Sequence, residues 1–314
     1  MADKPHVLIP APYYKPAMDR LDEIATTHHL YSAPDPQKML AEVGEKCVAF
    51  ATFMKCDPPL LDLVPNAKLI ANFGVGYDAI DIDDANRRGI KVTNTPDVLN
   101  DCVADLALGL LISARRHIVD ADRFVRAGQW PVKKLYPFVN KVHHSKVGIV
   151  GLGRIGIEIA ERCAAFKMDI SYHNRSMKPD APYRYYPDLV EMARDVEIMV
   201  VITPGGAATN NLVNEAVLEA LGPQGLLVNV ARGSVVDMDA LIACLKDGRL
   251  GAAGLDVYPD EPNVPEALFA MTENVVLTPH VASATHDTRM AMGMLVYNNI
   301  KAFFAGEELL TPVN

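Results

Sequence analysis

Three shortages narrow the reading of this chain before any motif is sought. Its five cysteines, Cys47, Cys56, Cys102, Cys163 and Cys244, are odd in number and include no CxxC pair. Neither a disulfide framework nor a cysteine-based zinc site is expected, and free thiols in a reducing compartment are. Cys47, Cys163 and Cys244 fall in apolar-patterned segments and read as buried structural residues. No stretch runs uninterrupted to the length of a membrane span, and the opening MADKPHVLIPA lacks the basic segment and long apolar run of a secretory signal. A cytoplasmic protein with no membrane partner is the expectation. Basic residues are also short, 30 Lys and Arg against 39 Asp and Glu, for a net charge of −9. That balance argues against a general nucleic-acid surface, so any small anion must be held by local groups. The adjacent pairs His28-His29 and His143-His144 do not share a face as ligands four apart on a helix would, and no metal is expected.

What is present is a chain of 314 residues, half of them apolar, long enough for about two globular domains. Strand-like runs at 6–9, 47–52, 68–73 and 90–93, with a weaker one at 28–31, alternate with helical stretches near 16–27, 36–43, 58–64 and 82–88. That alternation implies a parallel sheet. Asp101 is the expected N-cap of a long apolar helix, CVADLALGLLISARR, and a polar-faced helix follows to Ala127. Gly128-Gln129-Trp130-Pro131 then opens an irregular segment through His144, whose tryptophan serves local packing, a subunit interface or a pocket rim. Further strands are expected at 196–203, 226–231, 252–257 and 275–278, with helices near 214–221 and 237–246. Asp237 caps the second of these helices and Gly248 ends it. Thr285 caps a last helix running to about Ala305.

The organising stretch is VGIVGLGRIGIEIAERCAAFKMDISYHNRS, residues 147–176. An apolar strand enters Gly151-Leu152-Gly153-Arg154-Ile155-Gly156, a helix follows, and a second strand ends near His173. In a dinucleotide-binding βαβ unit the first glycine makes the tight turn, the second admits the pyrophosphate and the third lets helix pack on strand. Helix amides and dipole favour the phosphates. An NAD-binding unit would place Asp or Glu at the tip of the second strand, where this chain has Asn174, Arg175 and Ser176. Arg175 is either a solvated surface arginine or the partner of a 2′-phosphate, and the missing carboxylate favours NADP, with NADPH preferred over NADH.

Ligands in open parallel sheets bind beyond the carboxyl ends of strands. That rule selects Arg232 after LLVNVA, Asp256 at the end of GLDV with Glu261 beyond it, and His280 after VVLTP. Arginine holds a carboxylate bidentately and polarises the neighbouring carbonyl. Histidine, titrating near neutrality, protonates a developing alkoxide as general acid, and Glu261 near its ring favours imidazolium and fixes its orientation. Singly, each of these residues has a structural reading; jointly they suit reduction of a 2-keto acid.

The stretches NFGVGYDAIDIDDANRRGIKVTNTPDVLNDCVADLALGLLI, VGIVGLGRIG, VVITPGGAATNNLVN, LLVNVARGSVVD, GAAGLDVYPDEP and NVVLTPHVASAT resemble the D-isomer-specific 2-hydroxyacid dehydrogenases, most nearly the NADPH-dependent glyoxylate/hydroxypyruvate reductases. The resemblance implies an α/β fold of two doubly wound domains: a Rossmann nucleotide-binding domain, 99–286, inserted in a smaller flavodoxin-like substrate domain, 1–98 plus 287–314. It implies Arg232, Glu261 and His280 as the catalytic set. It places the substrate carboxylate on the backbone of Val75 and Gly76, with Phe53 and Met54 walling its side group. Thr203, Pro204, Thr209 and Val230 would lie along the cofactor, and Asp256 near the nicotinamide carboxamide. A homodimer built through the nucleotide domains is also implied, the Trp130 segment reaching toward the partner.

The leading expectation is therefore NADPH-dependent reduction of glyoxylate or hydroxypyruvate to the D-2-hydroxy acid. The same chemistry on a bulkier aryl pyruvate is one alternative. A dinucleotide-sensing binding protein such as a co-repressor is the alternative from another class.

Overall fold

The computed structural model describes residues 4–53 and 56–314; Met54, expected to wall the substrate, lies outside the described residues. The chain divides into two compact units, Met1–Leu99 with Ser283–Asn314, and Asn100–Ala282.

The first unit is built on β1 (His6–Ile9), β2 (Thr26–His29), β3 (Cys47–Thr52), β4 (Leu69–Asn72) and β5 (Lys91–Thr93). Their order is β2-β1-β3-β4-β5, all parallel, which is flavodoxin-like. Val7, Leu8, Ile9, Ala49, Phe50, Ala51, Leu69, Ile70 and Ala71 are wholly buried, the near-continuous apolar pattern of strands covered on both faces. The helix expected over 16–27 stops at Leu21. Its continuation is claimed by β2, which pairs with β1 from Thr26 onward and so begins two residues before the expected strand; pairing overrides local propensity there.

The last helix, His286–Ala305, is capped by Thr285, whose side chain accepts from the Thr288 amide. It lies so near the first helix that a Cβ on Gly293 would overlap that of Ala17. Beyond it, buried Asn299 accepts from the amides of Leu310 and Thr311 at 2.9 and 3.2 Å, and Val313 donates to the Val92 carbonyl at 2.9 Å. The final residues thus cover the outer edge of β5.

The second unit contains β6 (Lys146–Val150), β7 (Asp169–His173), β8 (Arg184–Tyr185), β9 (Ile198–Val201), β10 (Leu226–Asn229), β11 (Ala252–Leu255) and β12 (Val275–Leu277). They form one parallel sheet, β12-β11-β10-β9-β6-β7-β8, with its switch point between β6 and β9. The apolar helix Asn100–Arg115 packs on it; a Cβ on Gly254 of β11 would stand 3.1 Å from Leu110 Cβ.

Three details of this unit depart from the sequence reading. Asp101 does not cap the apolar helix but lies in its first turn, where its carboxylate meets Arg162 at 2.7 Å. The helix Leu189–Asp195, capped by Asp188, and the short β8 were not anticipated. Trp130–Lys133 forms a short helix within the segment expected to be irregular, and Trp130, Val132, Leu135 and Phe138 are exposed.

No helix among the described residues is long and apolar enough to cross a membrane, and no cluster of three or more His, Cys, Asp or Glu there could hold a metal. All five cysteines are free, and burial raises the Cys47 and Cys163 thiols to about 11 and about 12. Thiols so disfavoured as thiolates are packing residues.

Candidate active site

Three glycines after β6 face different surroundings. Gly151 has φ +107°, and a Cβ there would stand 2.9 Å from the carbonyl of Ile202 and the amide of Thr203. A Cβ on Gly156 would overlap the Gly151 carbonyl oxygen, whereas one on Gly153 meets nothing within 4 Å. Two glycines are therefore demanded by packing and the third opens space in front of a twelve-residue helix, Arg154–Ala165. An open cradle at helix amides fits a pyrophosphate.

The tip of β7 is tied to this turn. Gly151 donates to the His173 carbonyl at 2.9 Å and the Leu152 amide donates to Asn174 Oδ1 at 2.7 Å. Arg154, Arg175 and Ser176 are exposed around it, Ile155 is half-buried and the Leu152 side chain is buried. Thr203 and Pro204 follow β9, and the Thr209 hydroxyl donates to the Pro204 carbonyl at 2.7 Å, closing that turn. Val230 follows β10 with its side chain buried and its amide on the Val201 carbonyl.

The same sheet places the other chemical groups beyond β10, β11 and β12. Asn229, wholly buried, donates to the Arg232 carbonyl at 3.0 Å and accepts from the Ala231 amide at 3.0 Å, bracing the turn that carries the arginine. The next residue, Gly233, lies so close to the Tyr258 backbone that a Cβ would overlap it. This contact sets the Arg232 turn against the segment leading to Glu261.

Glu261 and His280, 19 residues apart in sequence, meet at 2.6 Å between Oε2 and Nδ1, and Glu261 Oε1 accepts from the Tyr258 amide at 3.0 Å. Burial alone would raise the Glu261 carboxyl. Hydrogen bonds from His280 and Tyr258 and the charges of His280 and Arg232 outweigh it and hold the group below its ordinary range. An ionised carboxylate only accepts, so Nδ1 carries hydrogen and Nε2 is left as the exchanging nitrogen.

Asp256 faces inward. Its wholly buried carboxylate accepts from the Thr278 hydroxyl at 2.7 Å and from the amides of Val281 and Ala282 at 2.9 and 3.0 Å. Those bonds hold the loop on which His280 adopts φ +51°.

In the first unit, Phe53 follows β3 and Val75-Gly76 lie in the turn after Phe73. Asn72 Nδ2 donates to the carbonyls of Gly74 and Gly76, both at 3.0 Å, and Asn94 Nδ2 to that of Val75 at 2.9 Å. With its carbonyls engaged, the turn has its amide edge to offer an anion.

Reasoning from the sequence missed Asn229, Tyr258, Thr278, Asn72 and Asn94, which hold the reactive groups rather than react. A signal was available for some: Asn72 and Asn229 are amides inside LIANF and LLVNV, and a polar residue in a strand buried on both faces must have a partner.

Comparison with known proteins identifies the family. Residues 108–282 match the family model described as D-isomer specific 2-hydroxyacid dehydrogenase, NAD binding domain. The chain belongs to this family. Among the D-isomer-specific 2-hydroxyacid dehydrogenases it is 47% identical over 257 residues, 82% of each chain, to a glyoxylate/hydroxypyruvate reductase A of Arabidopsis thaliana. It is 42% identical over 309 residues, 98% of each chain, to a hydroxyphenylpyruvate reductase of Plectranthus scutellarioides. A solved NADPH-dependent glyoxylate/hydroxypyruvate reductase of Sinorhizobium meliloti, in complex with NADP and malonate, superposes with a TM-score of 0.92 at 42% identity, covering 99% of this chain and 97% of that one. This 2-hydroxyacid dehydrogenase therefore uses a nicotinamide dinucleotide, received by the unit that carries the glycine turn.

Proposed function

We propose that this chain is an NADPH-dependent reductase of a small 2-keto acid, glyoxylate or hydroxypyruvate, forming the D-2-hydroxy acid. The observation that carries the reading is the His280–Glu261 contact of 2.6 Å beside the Arg232 turn in a dinucleotide-binding unit. When bound, the cofactor supplies the hydride. Arg232 pairs with the substrate carboxylate and draws electron density from the adjacent carbonyl. His280 donates the Nε2 proton to the oxygen as it becomes an alkoxide, and Glu261 keeps the ring oriented until that transfer. The amides of Val75 and Gly76 hold the other edge of the carboxylate, and Phe53 limits the side group. The assignment gives residues 1–98 with 287–314 the substrate-binding role and 99–286 the dinucleotide-binding role.

Preference for NADPH over NADH is supported by the tip of β7. With Asn174 Oδ1 committed to Leu152, the amide turns its NH₂ donors away from the turn, and Arg175 and Ser176 follow it, exposed. Donors and a cation suit a 2′-phosphate where a carboxylate would repel it. The NADP complex of the Sinorhizobium meliloti relative lends further support. Association as a homodimer in the cytoplasm completes the proposal; Trp130, Val132, Leu135 and Phe138, exposed apolar side chains within nine consecutive residues of the nucleotide-binding unit, lend it support.

The test is kcat/KM with NADPH and NADH across glyoxylate, hydroxypyruvate and 4-hydroxyphenylpyruvate. The expected result is a preference for NADPH and for the two small acids. His280→Ala and Arg232→Ala should each lower turnover at least about a hundredfold while remaining folded. Arg175→Ala should erode the cofactor ratio about tenfold or more. Full activity of the His280 and Arg232 variants would overturn the mechanism, and a better rate on the aryl acid would overturn the substrate. Sedimentation velocity checks the dimer.

A further inference from the structure

We infer that Arg289 selects for an oxygen on C3 of the 2-keto acid, making the enzyme discriminate hydroxypyruvate from pyruvate; this rests on the function proposed above. The guanidinium carbon of Arg289 lies 5.7 Å from the ring centre of Phe53 and 5.6 Å from that of Phe73. Those two rings border the turn assigned to the substrate carboxylate. The Phe73 amide donates to the Thr52 carbonyl at 2.6 Å, joining the ends of β3 and β4, and Phe53 and Gly74 are the next residues on each side. With C1 held at the amides of Val75 and Gly76, C3 is only two bonds away, so its substituent falls within reach of a group beside these rings.

The cation is held in place. Phe53 meets Phe73 edge to face at 6.0 Å, and Tyr13 stacks on Phe73 at 4.6 Å. The helix bearing Arg289 is capped by Thr285, fastened at His286 Nδ1 to the Tyr14 hydroxyl at 3.0 Å, and pressed at Gly293 against Ala17. Attraction between a guanidinium and a ring face is electrostatic and does not itself consume an N–H donor. Guanidinium offers donors only. A hydroxyl on C3 gains a charge-assisted hydrogen bond there, whereas a methyl group gains none and displaces water from a cation. Glyoxylate has no C3 and is indifferent to the residue.

The experiment compares wild type, Arg289→Met and Arg289→Lys on glyoxylate, pyruvate and hydroxypyruvate with NADPH, with NADPH affinity measured by fluorescence as a check on folding. The expected result for Arg289→Met is a loss of about tenfold to a hundredfold in kcat/KM for hydroxypyruvate. Glyoxylate should stay near wild type and the hydroxypyruvate-to-pyruvate ratio should collapse. Arg289→Lys should recover part of that ratio, and it carries the same comparison if the methionine variant does not fold. Equal losses on all three acids, or an unchanged ratio in a wild type that does reduce hydroxypyruvate, would overturn the role of Arg289 alone. A wild type inactive on all three would instead overturn the function on which the inference rests.

Discussion

The backbone amide of His280 donates to the carbonyl of Asp256 at 2.8 Å, while the Asp256 carboxylate takes the next two amides of the chain. One buried residue thus holds the histidine on both sides. A non-glycine residue at φ +51° carries strain of about 1 kcal/mol or more and persists only where its surroundings enforce it.

Asp256→Ala leaves the amides of Val281 and Ala282 without their acceptor and the Thr278 hydroxyl with only the Leu255 carbonyl, at 3.4 Å. It should cost about 3 kcal/mol of stability, and kcat should fall more than KM rises, because His280 loses its aim. Denaturant unfolding and steady-state kinetics check this; a variant with wild-type stability and kcat would show that the clamp is idle.

Glu261→Gln should alter the pH dependence of stability. The wild-type carboxyl is held below its ordinary range in the folded state. It therefore contributes stability above the ordinary carboxylate pKa, and that contribution disappears as pH falls through the lower folded value. The stability gap between wild type and variant should accordingly close on acidification. Loss of the carboxylate also removes the acceptor that orients the His280 ring at 2.6 Å, so kcat should fall at every pH. Superimposable pH profiles would exclude an electrostatic role for Glu261.

Gly153→Ala and Gly156→Ala should separate binding from folding. A Cβ at Gly153 meets open space on extended backbone, φ −87° and ψ −159°, so its variant should keep stability within about 0.5 kcal/mol. It should nonetheless bind dinucleotide more weakly. A Cβ at Gly156 overlaps the Gly151 carbonyl and should cost about 2 kcal/mol as helix and strand separate. Equal thermal stabilities with unequal cofactor affinities in both variants would contradict this division.

Much of this is legible from residues near one another in the chain. Strands such as β1 and β10 announce themselves by unbroken apolar runs, and the strand-end rule selects Arg232, Glu261 and His280 because each follows such a run. Local pattern fails where distant pairing decides, as when β1 recruits Thr26–His29 and shortens the helix before it. It fails again for support: Asn174 is conspicuous for lacking a charge, yet its bond to Leu152, 22 residues earlier, is a property of the folded turn. Tyr258 and Thr278 act only through atoms that the fold brings to them.

The division of the chain bears on how it is made. Asn100–Ala282 is a continuous stretch and can close its own core as soon as it has been synthesised. The smaller unit is written in two pieces, and its Phe73, which follows β4 and is wholly buried in the finished fold, acquires the neighbouring Gly293 only when the last helix is made. On the ribosome that apolar face waits through the whole of the intervening unit, and the first piece of the smaller unit closes its core only after the second has been made.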